Sequence, residues 1–451
     1  MSDRRRGVWQ ENMIYLDNSA TTRQYDEVTE AMVRAMKDGY GNPSSLYQLG
    51  VDAEKAVKNA RRQVLEAAAA SGGSAARGDF AAGRQAFAAG DWDVVFTSGG
   101  TEADNMAIFG AARALRRHGK RIVTTAVEHP AVLECVKVLE AEGFDVVRVG
   151  VGADCMPDME QLRAAIDGNT ILVSMMHVNN EVGTVMPVGA VKKIMKEKGA
   201  PGLFHCDAVQ SFGKMPLPAE ADLISVSGHK IHGPKGSGAL LISKGNSASG
   251  KSNSASGKTG GAAIKATNLP AFIVGGGQES GRRSGTENVP AIIGLGCAAE
   301  IAAADGAVSG READGAGGYL STADMEKMRQ QLLDGLCSKI DDIEINSPLE
   351  AGTADGQCCP SVLNVNFRGT RGEVILHTLE QDGIYVSTGS ACSSNKKGQS
   401  HVLEAMGQSS RDIEGAIRFS LGRLNCSDEV ETVVDAVAAA VKRFRRLGSF
   451  R

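Results

Sequence analysis

The sequence predicts an α/β fold, in which a large domain built on a mostly parallel seven-stranded sheet is followed by a smaller α+β C-terminal domain. The first observation is the region 93–243, where seven short runs rich in Val and Ile alternate with longer stretches of helical period. The second is the loss of this regular alternation after about residue 290. Strands that alternate with helices form βαβ units, and such sheets bind ligands at the carboxyl ends of their strands.

Apolar runs and helical periods set the expected elements. The predicted strands of the large domain begin at Val94, Arg121, Asp145, Ile171, Leu203, Ala221 and Ala239. The predicted helices of this region span 102–117, 130–142 and 188–198. In the smaller domain we expect helices over 325–340, 372–381 and 428–446, and strands over 343–346, 362–367 and 417–421.

Composition narrows the classes of protein. The 451 residues include 49 Lys and Arg against 53 Asp and Glu, a net charge of −4, which leaves no basic excess for binding nucleic acid. No apolar run reaches the length of a membrane span, and the first residues lack the apolar centre of a secretory signal. Nine cysteines without a C-x-x-C pair argue against a disulfide framework. We therefore expect a cytoplasmic protein.

Three segments of low complexity interrupt the pattern. Residues 67–90 and 302–318 are rich in Ala and Gly, and 245–265 contains the near-repeat NSASGKS and NSASGKT. Such compositions bury little apolar surface, so we expect mobile surface insertions. The stretch GNSASGKS at 245–252 matches the P-loop pattern, but no helical period follows it, which argues against nucleotide binding there.

Polar residues follow the predicted strands at the positions where a ligand would bind. Ser98–Glu102 ends one strand and opens a helix, so its amides could bind an anion, although Thr101 could also serve only as a helix cap. Lys230 follows an apolar strand, and partial burial would lower the pKa of its amine. Asp207 also ends a strand, where a simple turn is the alternative. Together, these residues match what pyridoxal 5'-phosphate requires.

Sequence blocks in a specific order carry a family resemblance. They are IYLDNSATT, GNPSS, TSGGTEADN, VEHPAV, HVNNEVGT, HCDAVQ, SGHKIHGPKG, GRRSGTEN, STGSACSS and IRFSLGR, which run from Ile14 almost to the C-terminus. In this order they resemble the cysteine desulfurases, the NifS/IscS-like branch of the class V aminotransferases, which are fold-type I pyridoxal phosphate enzymes. The resemblance implies a homodimer that takes L-cysteine as substrate and passes sulfur to an acceptor or an iron–sulfur scaffold protein, with iron–sulfur cluster assembly and tRNA thiolation as the alternative pathways.

The resemblance also implies roles for individual residues. Lys230 resembles the Schiff-base lysine, Asp207 the partner of the pyridine nitrogen, and His129 the imidazole stacked over the ring. Residues implied to hold the cofactor are Gly100, Thr101, His129, Asn179, Asp207, Gln210, Ser227, His229, Lys230 and Thr286, the last reaching the neighbouring subunit's phosphate. Asn179 and Arg418 resemble the substrate clamp, with the guanidinium binding the α-carboxylate. From the residues alone, a turn at 179–181, a capping role for His129 and a surface charge at Arg418 remain alternatives.

Cys392 is the expected nucleophile. It lies in a polar segment, where a thiol would be exposed, and Lys396 and Lys397 nearby favour the thiolate. The resemblance implies that this sulfur forms the persulfide and makes Cys392 a candidate transient ligand of an iron–sulfur cluster. Four other cysteines lie in apolar patterns and are predicted to be buried: Cys135, Cys206, Cys297 and Cys337. The pair Cys358–Cys359 is expected to pack in the core, with sulfur relay as the alternative.

The expected organisation is a segment 1–40 that associates with the small domain, a large cofactor-binding domain over 41–297, and a small domain over 298–451 that carries the Cys392 loop. Three other functions stay open on sequence grounds. They are a selenocysteine lyase, another class V aminotransferase or lyase, and a non-catalytic scaffold for sulfur transfer. An exposed Cys392 favours desulfuration over transamination, and the presence of Lys230, Asp207 and Cys392 argues against the scaffold.

Overall fold

The computed structural model describes residues 13–70, 87–245, 265–305, 319–349, 358–388 and 400–448. Within these ranges, no helix combines the length and the apolar character needed to cross a membrane. The expected loop around Cys392, most of the P-loop match and the larger part of each low-complexity segment lie outside the described residues.

The large domain begins with two helices and continues as alternating strands and helices. Its helices are Asp26–Lys37 (α1), Gln48–Ala70 (α2), Gly100–Leu115 (α3), Pro130–Ala141 (α4), Met159–Ala165 (α5), Val188–Glu197 (α6) and Val289–Ala303 (α7). After the short N-terminal strand Ile14–Tyr15 (β1), its strands are Trp92–Thr97 (β2), Arg121–Thr125 (β3), Asp145–Val149 (β4), Thr170–Ser174 (β5), Leu203–Asp207 (β6), Leu223–Ser227 (β7) and Gly238–Ser243 (β8).

Seven strands form the central sheet in the order β2-β8-β7-β6-β5-β3-β4. The pairs among β7, β6, β5, β3 and β4 are parallel, whereas β8 runs antiparallel to both of its neighbours. The sheet is therefore mostly parallel, as the alternating pattern predicts. Its strands are buried on both faces, as expected for a parallel sheet covered by helices.

Two apolar layers cover the sheet. On one face, Leu172, Leu203 and Leu223 pack with α3 and α4. On the other face, Phe204 and Ile224 pack with α2, α6 and α7. Because side chains alternate along a strand, residues two positions apart share a face, and this register decides which polar residues near the strand ends meet α3.

The C-terminal part forms a second, smaller sheet. Its elements are α8 (Thr322–Lys339), β9 (Ile343–Ile345), β10 (Val362–Phe367), α9 (Gly372–Gln381), β11 (Ile384–Tyr385), α10 (His401–Ala405), α11 (Ser410–Ile413), β12 (Ala416–Ser420) and α12 (Glu429–Gly448). The strand order is β12-β10-β9, and all pairs are antiparallel. The N-terminal strand β1 pairs with β11, and Leu16 is buried in the core of this sheet. The first strand of the chain thus lies with the C-terminal elements.

Two sequence predictions need correction. The predicted start of the insertion over 67–90 is wrong. Residues 67–70 complete α2, and both Ala67 and Ala68 are buried in the main core. Alanine is a strong helix former, so an Ala-rich run continues a helix where a neighbour covers it. Cys337 is exposed on α8 rather than buried, because the buried side of that helix is formed by residues such as Leu333 and Leu336.

The close crossing of α2 and α7 gives the first prediction. A Cβ at Gly296 of α7 would lie 2.7 Å from the Cα of Ala60 on α2. We expect Gly296→Val to lower the free energy of unfolding by about 1–3 kcal/mol, because neither helix backbone can move away cheaply. Urea unfolding measures the change. The matched control is Gly168→Val, since a Cβ at Gly168 would meet nothing within 4 Å. Equal effects of the two substitutions would contradict this explanation.

Candidate active site

An anion cradle lies where β2 ends and α3 begins. Gly100, Thr101, Ser227 and His229 line one cleft of about 480 Å³. The Ser227 hydroxyl oxygen is buried without a hydrogen-bond partner, and a Cβ at Gly100 would meet Val209 Cγ2 at 2.7 Å. The helix N-terminus and the free hydroxyl fit a phosphate group, and glycine at position 100 lets the helix begin close to Val209.

A carboxylate at the cradle is neutralised by an arginine that the sequence analysis did not assign. Arg283 Nε donates to Glu102 Oε1 at 2.8 Å, and the Ser98 amide donates to Glu102 Oε2 at 2.7 Å. This ion pair removes the repulsion that a free Glu102 would exert on an anion. It also fixes the segment that carries the exposed Thr286 next to the first turn of α3.

Lys230 lies at the same edge of the sheet, in the turn after β7. Its Nζ donates to the carbonyl oxygens of Ser19 and, at 2.8 Å, of Ala20. The Gln210 amide also donates to the Ser19 carbonyl, at 3.1 Å, while Gln210 Oε1 is buried without a partner. The N-terminal segment therefore positions both side chains, and an acceptor atom on Gln210 is left for a ligand.

Asp207 ends β6 and is 6% exposed. Its Oδ1 accepts a hydrogen bond from the Val209 amide at 2.9 Å. Burial raises the pKa of Asp207 to about 7, and the nearby Asp104 carboxyl adds to this rise. A buried carboxyl of this kind gains strongly from a cationic N–H partner, such as a protonated ring nitrogen.

His129 caps the N-terminus of α4. Its Nδ1 accepts from the Ala131 amide at 3.1 Å, so the proton of the neutral ring is on Nε2. Burial lowers the pKa of His129 to about 4, and the charges of Lys230 and His401 act in the same direction. The imidazole is therefore neutral at pH 7, with Nε2–H as the donor that remains.

Arg418 of β12 is 4% exposed and lies between the N-terminal segment and the 179–182 turn. Its Nη2 donates to Asp17 at 2.6 Å and its Nη1 to the Asn180 carbonyl at 3.0 Å, whereas its Nε has no hydrogen-bond partner. Asn179 is fully buried, and its Oδ1 accepts from the amides of Glu181 and Val182. Asn179 thus shapes the turn that Arg418 contacts, and Arg418 keeps a buried donor for a carboxylate.

Both ends of the segment that contains Cys392 are attached at this site. On one side, the backbones of Ser387 and Arg418 exchange two hydrogen bonds. On the other side, the Ser400 hydroxyl donates to Glu181, and His401 Nε2 contacts the Glu128 carbonyl at 3.0 Å. Cys392 itself lies outside the described residues, but the described residues before and after it lie beside Arg418 and His129.

Most of the cysteines that were predicted to be buried have buried thiols in the structure. Cys135 and Cys206 are buried, as predicted, and Cys297 is half-buried. Cys358 and Cys359 are both buried, and burial raises the pKa of the Cys358 thiol to about 12. Core packing, the expectation for this pair, agrees with that environment.

Four acids near the site, three of them buried and one partly buried, were not assigned from the sequence. Asp17, Asp104, Glu128 and Glu181 all belong to sequence blocks quoted for the resemblance, or directly adjoin one, but received no role there. Asp104 had a detectable signal, because it is an acid among Ala103, Ala107 and Ile108 on a helix that is otherwise apolar on that side. Glu128 had no such signal in the sequence, because its burial depends on contacts between distant segments.

The chain belongs to the aminotransferase class-V family, whose model matches residues 14–74 and 82–433. It is a pyridoxal phosphate-dependent enzyme of this family. It is 39% identical over 447 residues to a cysteine desulfurase of Trichormus azollae, covering 98% of this chain and 96% of the relative. It is 38% identical to the cysteine desulfurase IscS of Methanosarcina thermophila, covering 96% of this chain and 93% of that one.

Solved structures agree with the fold. A NifS-like protein superposes with a TM-score of 0.76 at 34% identity, over 96% of this chain and all of that chain. SspA, solved in complex with cysteine, superposes with a TM-score of 0.66 at 29% identity, over 92% of this chain. The predicted fold class, family and cofactor are confirmed.

The buried Glu128 generates the second prediction. Burial raises the pKa of Glu128 to about 8, and the charges of Asp207 and Asp104 add to the rise. A carboxyl with a raised folded-state pKa contributes its stability below its unfolded pKa and loses that stability as the pH rises towards the folded value. We expect Glu128→Gln, in the cofactor-free protein, to gain stability relative to wild type between about pH 5 and pH 8, by about 1–3 kcal/mol.

The measurement is urea unfolding of both proteins at several pH values. The control is Glu134→Gln, which removes an exposed carboxylate on α4 and should give a difference from wild type that does not change with pH. A pH-independent difference for Glu128→Gln would contradict the burial of an uncharged carboxyl.

Proposed function

We propose that this chain is a cysteine desulfurase, which removes sulfur from L-cysteine, releases L-alanine and keeps the sulfur as a persulfide on Cys392 until an acceptor takes it. The observation that carries the proposal is the convergence of Lys230, Asp207 and Arg418 at one edge of the sheet, where the segment bearing Cys392 also begins and ends. The names of the relatives support the same activity.

The described residues fit pyridoxal phosphate. Gly100, Thr101, Ser227 and His229 would hold its phosphate, and Thr286 would serve the phosphate of a second subunit. Asp207 would pair with the ring nitrogen, the free Oε1 of Gln210 would meet a protonated ring oxygen, and His129 would lie over the ring. The bound cofactor would withdraw electrons from the substrate α-carbon, which makes its proton acidic.

The chain's own groups divide the remaining work. Arg418 would bind the substrate carboxylate, with Asn179 shaping the turn beside it. Lys230, once its Nζ is released from the Ser19 and Ala20 carbonyls, would be the base that removes the α-proton and returns it. His129 is neutral and would donate from Nε2, so it can hold a proton near the reacting atoms without adding a positive charge.

The proposal requires the Cys392 thiolate to reach these groups. Cys392 follows Thr388 by four positions, and four residues of extended chain span at most about 14 Å. Its thiolate would attack the substrate sulfur, forming a sulfur–sulfur bond while the carbon–sulfur bond breaks. The bonding electrons remain with the carbon fragment, which takes up protons and leaves as alanine.

The test is alanine release by Cys392→Ala. We expect no alanine and no added sulfur by intact mass, while the spectral response to L-cysteine persists, because binding uses Lys230, Asp207 and Arg418. The control Lys230→Ala should lose both the spectral response and turnover. Wild-type alanine release by Cys392→Ala would refute the mechanism. If Cys392→Ala keeps its activity with selenocysteine but loses it with cysteine, thiolate attack is the missing step. If Cys392→Ala keeps its activity with both substrates, a selenocysteine lyase is favoured.

We infer further that the enzyme is a cytoplasmic homodimer that donates sulfur to an acceptor protein, including for iron–sulfur cluster assembly. Large apolar side chains exposed on the surface support the dimer: Leu46 is 98% exposed, Val274 81% and Tyr40 71%. Large apolar groups so exposed are typical of an interface. The described cysteines are all free thiols, which agrees with a reducing compartment.

The dimer has its own test. Leu46→Glu should shift the protein from dimer to monomer at micromolar concentration, because a carboxylate in the apolar interface would lose its hydration. Light scattering measures the mass. Leu349→Glu, a change at a 56% exposed leucine elsewhere on the surface, is the control and should leave the mass unchanged. A monomeric wild type would overturn the dimer.

A further inference from the structure

A row of polar side chains lies beneath the proposed cofactor site, on the face of the sheet covered by α3. Ser174 of β5, His205 of β6 and Ser225 of β7 follow the apolar positions Leu172, Leu203 and Leu223 on that face. His205 Nδ1 lies 2.9 Å from the Ser174 hydroxyl, and His205 Nε2 lies 3.0 Å from the Ser225 hydroxyl. One imidazole thus links three neighbouring strands.

Asp104 packs against this row from the covering helix α3. It is 1% exposed. Burial raises the pKa of Asp104 to about 7, and hydrogen bonding by the Ser225 side chain opposes that rise, which means that Ser225 favours the ionised form. Its Oδ1 has no hydrogen-bond partner but lies 3.5 Å from His205 Nε2. A buried acid with one unpaired oxygen is costly to keep, so its position against this row requires an explanation beyond packing.

The chain of hydrogen bonds has a defined direction when Asp104 is ionised. The Ser225 hydroxyl then donates to Asp104 and accepts from His205 Nε2–H. His205 Nδ1 consequently accepts from the Ser174 hydroxyl. This arrangement requires a neutral imidazole. Burial supplies it, because it lowers the pKa of His205 to about 4 although the charge of Asp207 acts in the opposite direction.

Asp207 is the immediate neighbour of this chain. It is two residues beyond His205 on the same face of β6, and Ser225 is its paired residue on β7. An imidazolium at His205 would weaken Asp207 as a base, whereas a carboxylate at Asp104 strengthens it. Both features of the chain therefore act on Asp207 in the same direction.

We propose that Asp104 is a positioning residue for Asp207: when ionised it places a negative charge beside Asp207, next to a His205 imidazole that burial keeps neutral, so that the cofactor's ring nitrogen stays protonated. This inference rests on the proposed role of Asp207. The titratable groups that face the two acids from the surrounding elements are Glu128, Cys135, His205, Cys206 and Lys230.

The experiment follows the ring nitrogen directly, by the nitrogen-15 chemical shift of ring-labelled pyridoxal phosphate bound to the enzyme. In Asp104→Asn, the pH at which the ring nitrogen loses its proton should fall by about one unit or more, because the charge that supports Asp207 is gone. Equal ring protonation in wild type and variant throughout the range from about pH 6 to pH 9 overturns the proposal.

Two controls separate the explanations. Ser174→Ala removes a hydroxyl from the same buried row without changing a charge, and should leave the ring-nitrogen titration unchanged. A shift as large as that of Asp104→Asn would mean that loosening of the layer is the cause, and the charge role would be wrong. Asp207→Asn should lower ring protonation by itself. If Asp207→Asn leaves ring protonation unchanged, the assignment of Asp207 is wrong. If Asp207→Asn lowers ring protonation but Asp104→Asn does not, only the role of Asp104 is rejected.

A second measurement applies if Asp104→Asn does not fold. In the wild-type holoenzyme, nitrogen-15 labelling of histidine reports the state of His205. We expect the neutral form with the proton on Nε2 at neutral pH. Either an imidazolium or a proton on Nδ1 would overturn the hydrogen-bond chain and the proposal with it.

Discussion

The close approach of α3 to the ends of β6 and β7 is the constraint on which the rest of the site depends. At the first turn of the helix, a Cβ on Gly100 would meet Val209 at 2.7 Å, so glycine at this position lets the helix begin close to the ends of these strands. One turn later, Asp104 reaches the polar row on the sheet. The same packing thus forms the anion cradle and buries the acids that surround Asp207, and neither feature is independent of the other.

A second constraint comes from the ends of the chain. β1 pairs with β11, and Asp17 binds Arg418 across 401 positions of sequence. The residues that follow Asp17 cross to the large sheet, where the Ser19 and Ala20 carbonyls accept hydrogen bonds from Lys230. The N-terminal segment therefore contacts both Arg418 and Lys230, the residues proposed to bind the substrate carboxylate and to act as the base, and its carbonyls hold the Lys230 amine.

Much of the fold could be predicted because apolar patterns report burial directly. The strand over 362–367 and the helix over 372–381 have the expected bounds, and the runs of the large domain all form strands of one sheet. The helices α1 and α2 were not predicted, although α1 carries Val28, Met32 and Ala35 at helical spacing. Composition also misled at Ala67 and Ala68, because the same residues that suit a loop suit a helix when α7 covers them.

The sequence by itself determined which residues follow each strand, and hence that Lys230, Asp207 and the 98–102 turn would share one edge of the sheet. This follows from the geometry of parallel strands, whose carboxyl ends lie together. Only the tertiary structure decided the ionisation of that edge. The pKa values of Asp207, Asp104 and Glu128 rise because helices from distant parts of the chain exclude water from them, and the hydrogen bonds that hold Lys230 and Arg418 come from residues about 210 and 401 positions away. Desolvation and charge pairing depend on how distant residues are arranged in three dimensions, and no local sequence pattern specifies that arrangement.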